Sequence, residues 1–531
     1  MHAPLLSGGA DLGQQSLDRS THRHDWKGRI SPPRLAFAAA SPREVARTMS
    51  PGEAARSSEA AAMAGAEALL ERIRDEGVRS LDLRFTDLAG RWRHTTLDAA
   101  GVKPFQLEHG VLIDGSAVPG WRDVSESDLL LRPDLASAFQ DPFAAQPTLC
   151  LFADGAEPAT GMSYERDPRS TVARAEAHLL ESGIADTLVA AAEIGFFIFD
   201  DVRIERGPLK AGYALESSEA RTAGGAAYAG GNPGHRPAPG AAQACLPPAD
   251  HHADIRAEIT TTLGGLGFTE LRHEHGPAAA QHRLMIGKGG LLATADRLQL
   301  LKYVAHQVTA TYGKSASFMA KPIADEPGAA LFLAQSFWQG GKPLFAGQGY
   351  ADLSPLCLQF TAGILAHGRA LNAFTNPTTN SYRRLQPNLD EPTLLTFAAH
   401  NRSAAIRIPY ADRPDRKRVE LRFADASANP YLALTAILMA GLDGIARKLE
   451  PGDAMDRNLY DLRAEELEGI PSTCRTLEAA LDALDADHEF CLRGEVMSGE
   501  LIDAYIAVKR AEVEHLARLP TPAEFELYYG L

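Results

Sequence analysis

Apolar and polar positions along the chain fall into successive regimes. From Pro51 to Asp75 apolar residues recur at helical spacing, which predicts a helix. Leu81 to Gly90 (LDLRFTDLAG) changes to alternation before a turn, the pattern of a strand that leads into an antiparallel partner and opens a small domain. After Ser163 the pattern predicts a large α/β domain. Thr222 to Gln243 is rich in Gly, Ala and Pro, follows neither period and is predicted to be a loop. His273-Glu274-His275, read as a strand, sends its two imidazoles to one face. Residues 1–62 are polar, Pro-containing and rich in Ala and Ser, as in an extension that is at least partly disordered.

Composition narrows the class. A chain of 531 residues buries a large core and accommodates two domains plus a tail. Its 53 basic and 68 acidic side chains give a formal net charge of −15 with no basic block, which argues against nucleic acid or an anionic membrane as partner. The five cysteines (150, 245, 357, 474, 491) lack CxxC spacing, as expected of reduced thiols in the cytoplasm. No run reaches the roughly 18 to 20 apolar residues of a membrane span, and the N-terminus lacks a continuous apolar signal core.

Longer motifs carry more. Val111–Trp121 (VLIDGSAVPGW), Arg166–Ser170 (RDPRS), Asn376–Leu385 (NPTTNSYRRL), Asn401–Pro409 (NRSAAIRIP), Glu420–Leu432 (ELRFADASANPYL) and Glu524–Tyr529 (EFELYY) occur in this order. With them the chain, from about Ser80 to Leu531, resembles the bacterial class I glutamine synthetases. The resemblance implies an α+β fold with a small β-grasp-like domain over 63–160 and a large glutamine-synthetase-type catalytic α/β domain over 161–531, after the 1–62 extension. It also implies stacked rings of identical subunits, each site being shared between neighbours, and mixed rings with an intact synthetase where the host makes one. The family transfers the γ-phosphoryl of ATP to the glutamate side chain, and ammonia then displaces phosphate. Such chemistry leans on divalent cations and on Arg or Lys rather than on a covalent nucleophile.

The family's cation ligands, five Glu and one His, carry over unevenly. Glu193 and Glu420 match; Gly195, Gly276, Leu284 and Phe332 stand where the other ligands are expected, and Ala334 replaces a further His. Together with two departed ions the lost acids would change the local charge by only about one unit, which predicts a packed, metal-free interior there. Glu274, His273, His275 and His282 are the nearby residues available for a replacement site.

The arginines are kept. Arg384, Arg402, Arg407, Arg418 and Arg422 match positions that hold glutamate, phosphates and the acyl phosphate, and a guanidinium fork suits those anions. The alternative is that they form structural ion pairs with Glu420 and Asp425. Ser336 and Gly328 match phosphate-side positions, while Gly289 replaces an adenine-stacking Phe and Pro327 a substrate-contacting Asn. Asp114, followed by Ser116, matches the loop that binds and deprotonates ammonium in the next subunit's site, where Gln243 stands for an aromatic. Asp390 or Glu391 matches the flap carboxylate, and Tyr460 the position adenylylated in some class I enzymes. Two readings follow. One is a degenerate homologue without glutamate–ammonia ligase activity, acting as a metabolite-binding, regulatory or structural subunit that binds a small carboxylate or phosphate, with no cofactor assigned. The other is a repurposed ATP-dependent ligase forming a γ-glutamyl or related amide, which requires ATP with Mg²⁺ or Mn²⁺. An ordinary glutamine synthetase is the remaining alternative.

Overall fold

The computed structural model describes residues 64–531 apart from 208, 228–230 and 388–390. The predicted helix over Pro51–Asp75 lies partly outside these residues; 64–75 are helical. The N-terminal extension lies outside them too.

Six strands form the first sheet: β1 (Ser80–Thr86), β2 (Trp92–Asp98), β3 (Val111–Asp114), β4 (Asp128–Pro133), β5 (Phe139–Gln140) and β6 (Thr148–Ala156). Their order is β2-β1-β6-β4-β3, with β5 on β6. The alternation in LDLRFTDLAG yields the expected hairpin, Ser80 opposite Asp98 through Thr86 opposite Trp92. Alternation predicts one wet face for β1, yet its polar residues Asp82, Arg84 and Thr86 are buried as well. The large domain covers them: Arg84 lies 4.4 Å over the Tyr303 ring, and Gln299 donates to Thr86 Oγ1 at 2.9 Å. Arg84 is paired with Asp82 and Asp141, so the buried charges are matched.

Strands β7 (Thr187–Phe199), β8 (Asp201–Gly207), β9 (Lys210–Glu216), β10 (Arg272–His275), β11 (Gln281–Gly289), β12 (Ser315–Ser317), β13 (Leu331–Gln339), β14 (Lys342–Pro343), β15 (Phe397–Ala399), β16 (Ile406–Ile408) and β17 (Val419–Leu421) follow. All but the β8-β9 hairpin belong to a second sheet ordered β10-β11-β7-β13-β17-β16-β15. The predicted loop over Thr222–Gln243 begins with a short 3-10 turn at Arg221–Gly225 and otherwise has no regular structure among its described residues. One face of the second sheet packs on helix Leu291–Thr311 and, through Phe337 against Phe360, on helix Pro355–Ala366; helix Pro430–Ala446 packs on both helices. Helix Pro430–Ala446 is apolar almost all round and buried along nearly its whole length, as a central core helix must be. It crosses Pro355–Ala366 at backbone contact: a Cβ on Gly363 would fall 2.1 Å from the Ala440 carbonyl oxygen.

Two further side chains fasten the domains together. Arg169 is buried and reaches Asp134 and Asp154 in the small domain at 2.7 and 2.8 Å and Asp296 in the large domain at 2.9 Å. Asn429 caps helix Pro430–Ala446 through its side-chain oxygen and donates to the Asp87 and Leu88 carbonyls at 3.1 and 3.3 Å.

Behind the sheet lies a second buried polar centre. Fully buried Glu219 accepts from His275 Nε2 at 3.0 Å and from the amides of Ala280 and His251 at 2.9 Å each, with His252 Nδ1 at 3.4 Å. Burial opposes the Glu219 charge, but the hydrogen bonds from His252 and His275 outweigh it and hold the carboxyl far below its ordinary range. Burial likewise opposes the charge of His275, yet its bond to Glu219 prevails and raises its pKa. His282 is pushed the other way, chiefly by burial, and stays neutral. The hub ties the segments around 219, 251 and 275–280 into one unit.

Two outcomes follow. Arg169→Met strands three acids and costs about 3–5 kcal/mol, measured as a lower denaturant midpoint. Glu219→Gln leaves His275 and His252 without an anionic partner, at a similar cost of about 3–5 kcal/mol. Because the folded-state pKa of His275 is raised, its contribution is complete below about pH 6.5 and fades as pH rises through the raised value. The stability difference between wild type and His275→Gln is therefore larger at pH 6 than at pH 9.

Candidate active site on the open face of the second sheet

Strand parity builds the site. In β7 the residues Leu188, Ala190, Ala192 and Ile194 are buried against the helices, while Val189, Ala191 and Glu193 are only partly buried on the opposite face. Pairing carries that face across the sheet. Phe332 lies opposite Glu193 and Ala334 opposite Ala191; Glu420 lies opposite Ala334 and Arg407 opposite Glu420. On the other side Arg283 lies opposite Gly195 and Glu274 opposite Arg283. Glu193, Glu274, Glu420, Arg283, Arg407 and Phe332 thus share one face, joined at its edge by Arg422.

Their contacts are charge contacts. Arg283 Nη1 stands 3.5 Å from Glu193 Oε1 and 3.8 Å from Glu274 Oε1. Gln243 Nε2 donates to Glu274 Oε1 at 2.9 Å. Glu420 receives Arg422 Nη1 at 2.5 Å and Arg407 Nη1 at 3.5 Å, and the Arg422 guanidinium lies 4.0 Å from the Phe332 ring centroid. Burial raises the pKa of Glu193; Glu420 and Glu274 add to the rise, and Arg283 and Arg422 oppose it.

The expected ligand positions meet a mixed fate. Glu193 and Glu420 are on the face. Leu284 is not: it is fully buried on the opposite side of β11, paired with His273. Gly276 continues the face beyond Glu274, but a Cβ there would meet the Gln281 side chain at 2.7 Å. The acid this hairpin does present is Glu274, and the residue presented at its middle is Arg283. The imidazoles of His273, His275 and His282 point behind the sheet and offer the face nothing. The face is also no dry interior, since the side chains of Glu193, Glu274 and Arg283 are each about a quarter exposed (23%, 27% and 25%).

A pair of divalent cations does not fit these residues. The guanidinium of Arg283 lies between two of the three carboxylates. Phe332 supplies no ligand, and at Gly195 the Ala329 Cα lies 3.1 Å from where a Cβ would stand. The ligand-like groupings found among the described residues, Glu219 with His252 and His282, and Glu219 with Asp250 and His275, belong to the buried hub. There Arg256 Nη1 donates to His282 Nδ1 at 2.9 Å and pairs with Asp250, so a guanidinium already supplies the positive charge.

Among the remaining candidates, Arg384 is fully buried, paired with Glu391 and donating to the Phe423 and Ala424 carbonyls, so its role here is internal. Gly328 packs on it, a Cβ being placed 2.7 Å from Arg384 Cγ and 2.3 Å from the Ala320 carbonyl oxygen. Arg402 is exposed beside His400, Asp456 and Tyr460, whose hydroxyl donates to the Arg402 carbonyl at 3.4 Å. Arg418 donates to the Arg416 carbonyl, and burial lowers its pKa. Ser336 Oγ accepts from Trp338 Nε1 at 3.1 Å. Asp114 is exposed at the end of β3 and accepts hydrogen bonds from the amide and hydroxyl of Ser116. Asp390 lies outside the described residues. The expected ion pairing with Glu420 holds for Arg407 and Arg422, whereas Asp425 pairs with Asn376 and Ser427. Sequence reasoning missed Arg283 and the Glu219 hub. Parity counted along QHRLM from a known pairing with β7 reveals the first, and no local motif marks the second.

Residues 77–158 match the family model of the glutamine synthetase beta-Grasp domain, and 165–528 that of the glutamine synthetase catalytic domain. The chain is 46% identical to the glutamine synthetase of Rhizobium meliloti, covering 88% of this chain and 100% of the relative, and 43% identical to that of Escherichia coli with the same coverage. Ligand-free GmaS superposes with a TM-score of 0.73 at 28% identity over 87% of this chain and 99% of that one. Plasmodium falciparum glutamine synthetase shares the fold with a TM-score of 0.81 at 24% identity, over 87% and 98%. The expectation of a degenerate subunit without ligase activity is overturned by these full-length relatives, all but one of the four bearing the name glutamine synthetase. Its physical basis also weakens, because it counted Leu284 among the positions of the site, whereas Leu284 is buried on the reverse side of β11 and Arg283 faces the site. The small β-grasp domain, the large catalytic domain behind it and the full-length identity to named synthetases place this chain in the glutamine synthetase family.

Proposed function

We propose that the protein is an ATP-dependent ligase joining ammonia to the side-chain carboxylate of glutamate. What carries this reading is the 43–46% identity, over essentially the whole length of the relatives, to proteins named glutamine synthetase. In it, a glutamate carboxylate oxygen attacks the γ-phosphorus of ATP and ADP leaves. Ammonia then attacks the acyl carbon, phosphate departs and one proton is released. Negative charge accumulates on the phosphoryl oxygens in the first step. Arg407 on β16, Arg418 just before β17 and Arg422 just after it are positioned to hold those oxygens in the fork geometry that suits them.

The recast cation face belongs to the proposal. Gly195, Arg283 and Phe332 leave three carboxylates matched by guanidinium groups, so the protein's own cations share the work of offsetting phosphoryl charge. We also infer self-association in rings, with Asp114 serving a neighbouring subunit, and mixed rings where the host makes a second synthetase. The exposed C-terminal side chains Phe525, Leu527, Tyr528 and Tyr529 support an assembly contact. Among the described residues no helix is long and apolar enough to cross a membrane. All five cysteines are unpaired, which supports a cytoplasmic setting.

The test is release of ADP and glutamine from ATP, glutamate and ammonium, with Mg²⁺ or Mn²⁺ supplied. Wild type forms both in equal amounts, and Arg407→Ala lowers kcat/KM about 100-fold or more while keeping its fold. A folded wild-type protein that makes neither product with either cation overturns the reading.

A further inference from the structure

The open face carries three carboxylates, Glu193, Glu274 and Glu420, and three guanidinium groups, Arg283, Arg407 and Arg422, so its formal charge is zero without any added ion. The two sets are bonded unequally. Arg422 is tightly engaged, by Glu420 at 2.5 Å, the Arg402 carbonyl at 3.1 Å and the Phe332 ring. Arg283 is held only by charge, at 3.5 and 3.8 Å from its two acids, and donates no hydrogen bond to any described residue. Arg407 meets Glu420 only at 3.5 Å, and its buried Nε has no partner among the described residues. A charge-assisted guanidinium–carboxylate bond closes to about 2.7–2.9 Å when both groups are satisfied. Under-bonded, partly open guanidinium groups flanking a neutral face are donors held ready for an external anion.

We propose that Arg283 is a fixed cation standing between the carboxylates where a bound divalent ion would otherwise lie, and that with Arg407 it grips a polyphosphate chain directly. Naming the ligand as polyphosphate rests on the ligase reading above; the placing of a guanidinium where an ion is expected rests on the position of Arg283 between Glu193 and Glu274 together with the family's ligand positions. Gly195 lies directly opposite Arg283, and the Phe332 ring is a flat apolar support for Arg422. Placing an acid at position 283 changes the face from neutral to a formal charge of −2, with four carboxylates around two guanidinium groups, the composition that hard cations favour.

The experiment uses the full-length protein stripped with EDTA, with folding checked by circular dichroism. Binding of Mn²⁺ is read by electron paramagnetic resonance, and binding of inorganic triphosphate in EDTA by calorimetry. Wild type is expected to bind triphosphate without metal and to show no Mn²⁺ site tighter than about millimolar. Arg283→Gln weakens triphosphate at least tenfold, and Arg283→Glu gains Mn²⁺ affinity at least tenfold. Stoichiometric micromolar Mn²⁺ binding by wild type, or unchanged triphosphate binding by Arg283→Gln, overturns the proposal. If Arg283→Glu does not fold, Arg283→Gln decides alone. Neither readout needs turnover, so a protein that makes no glutamine yet gives these binding results sinks the ligase reading and leaves the fixed cation standing.

Discussion

The parity of β7 is the constraint on which the rest of the structure depends. Thirteen residues in one extended run must bury every second side chain against the helices, and a slip of one residue would turn Leu188, Ala190, Ala192 and Ile194 outward. Burial of that face therefore fixes which residues of β7 face open space, and pairing passes the choice to β11, β13 and, through β13, to β17. The charged face is assembled from six strands, and only Arg422 comes from outside them, in the turn after β17. Each acid and guanidinium carried on a strand there sits at a site already decided by the packing of apolar residues on the reverse side.

This explains how much was legible in the sequence. The hairpin at LDLRFTDLAG follows from local alternation and turn chemistry, and the family from long motifs. Which positions face the site required pairing information that a single strand does not contain. Leu284 and Arg283 are neighbours in sequence but lie on opposite sides of the sheet, and motif spacing alone chose the wrong one. Glu274 was visible as a candidate without its direction being known. The buried polar face of β1 escaped for a related reason: alternation reports that a strand has two unlike faces, and whether another domain covers the polar one is decided 200 residues later, at Gln299 and Tyr303.

The two polar centres of the large domain differ in kind although one sheet separates them. Behind it, Glu219 and its histidines are fully buried, and several donors converge on one carboxylate, so the charge is spent on holding segments together. In front, acids and guanidinium groups balance in number but several stay loosely bonded and reachable by water. A saturated network gains nothing from a ligand, whereas an under-bonded one does. The same residue types thus serve architecture on one side and recognition on the other, and the difference lies in satisfaction rather than composition.

The glycine contact between helices Pro355–Ala366 and Pro430–Ala446 has a mechanical consequence. With backbone against backbone there is no side chain to deform, so the second helix can neither slide nor roll without a collision. Its first turn is capped by Asn429, the residue that also grips the carbonyls of Asp87 and Leu88. The small domain is in effect bolted to an axle that cannot turn, and any displacement imposed on its outer edge, as by a neighbouring molecule, reaches the charged face as a movement of the whole body rather than being absorbed on the way.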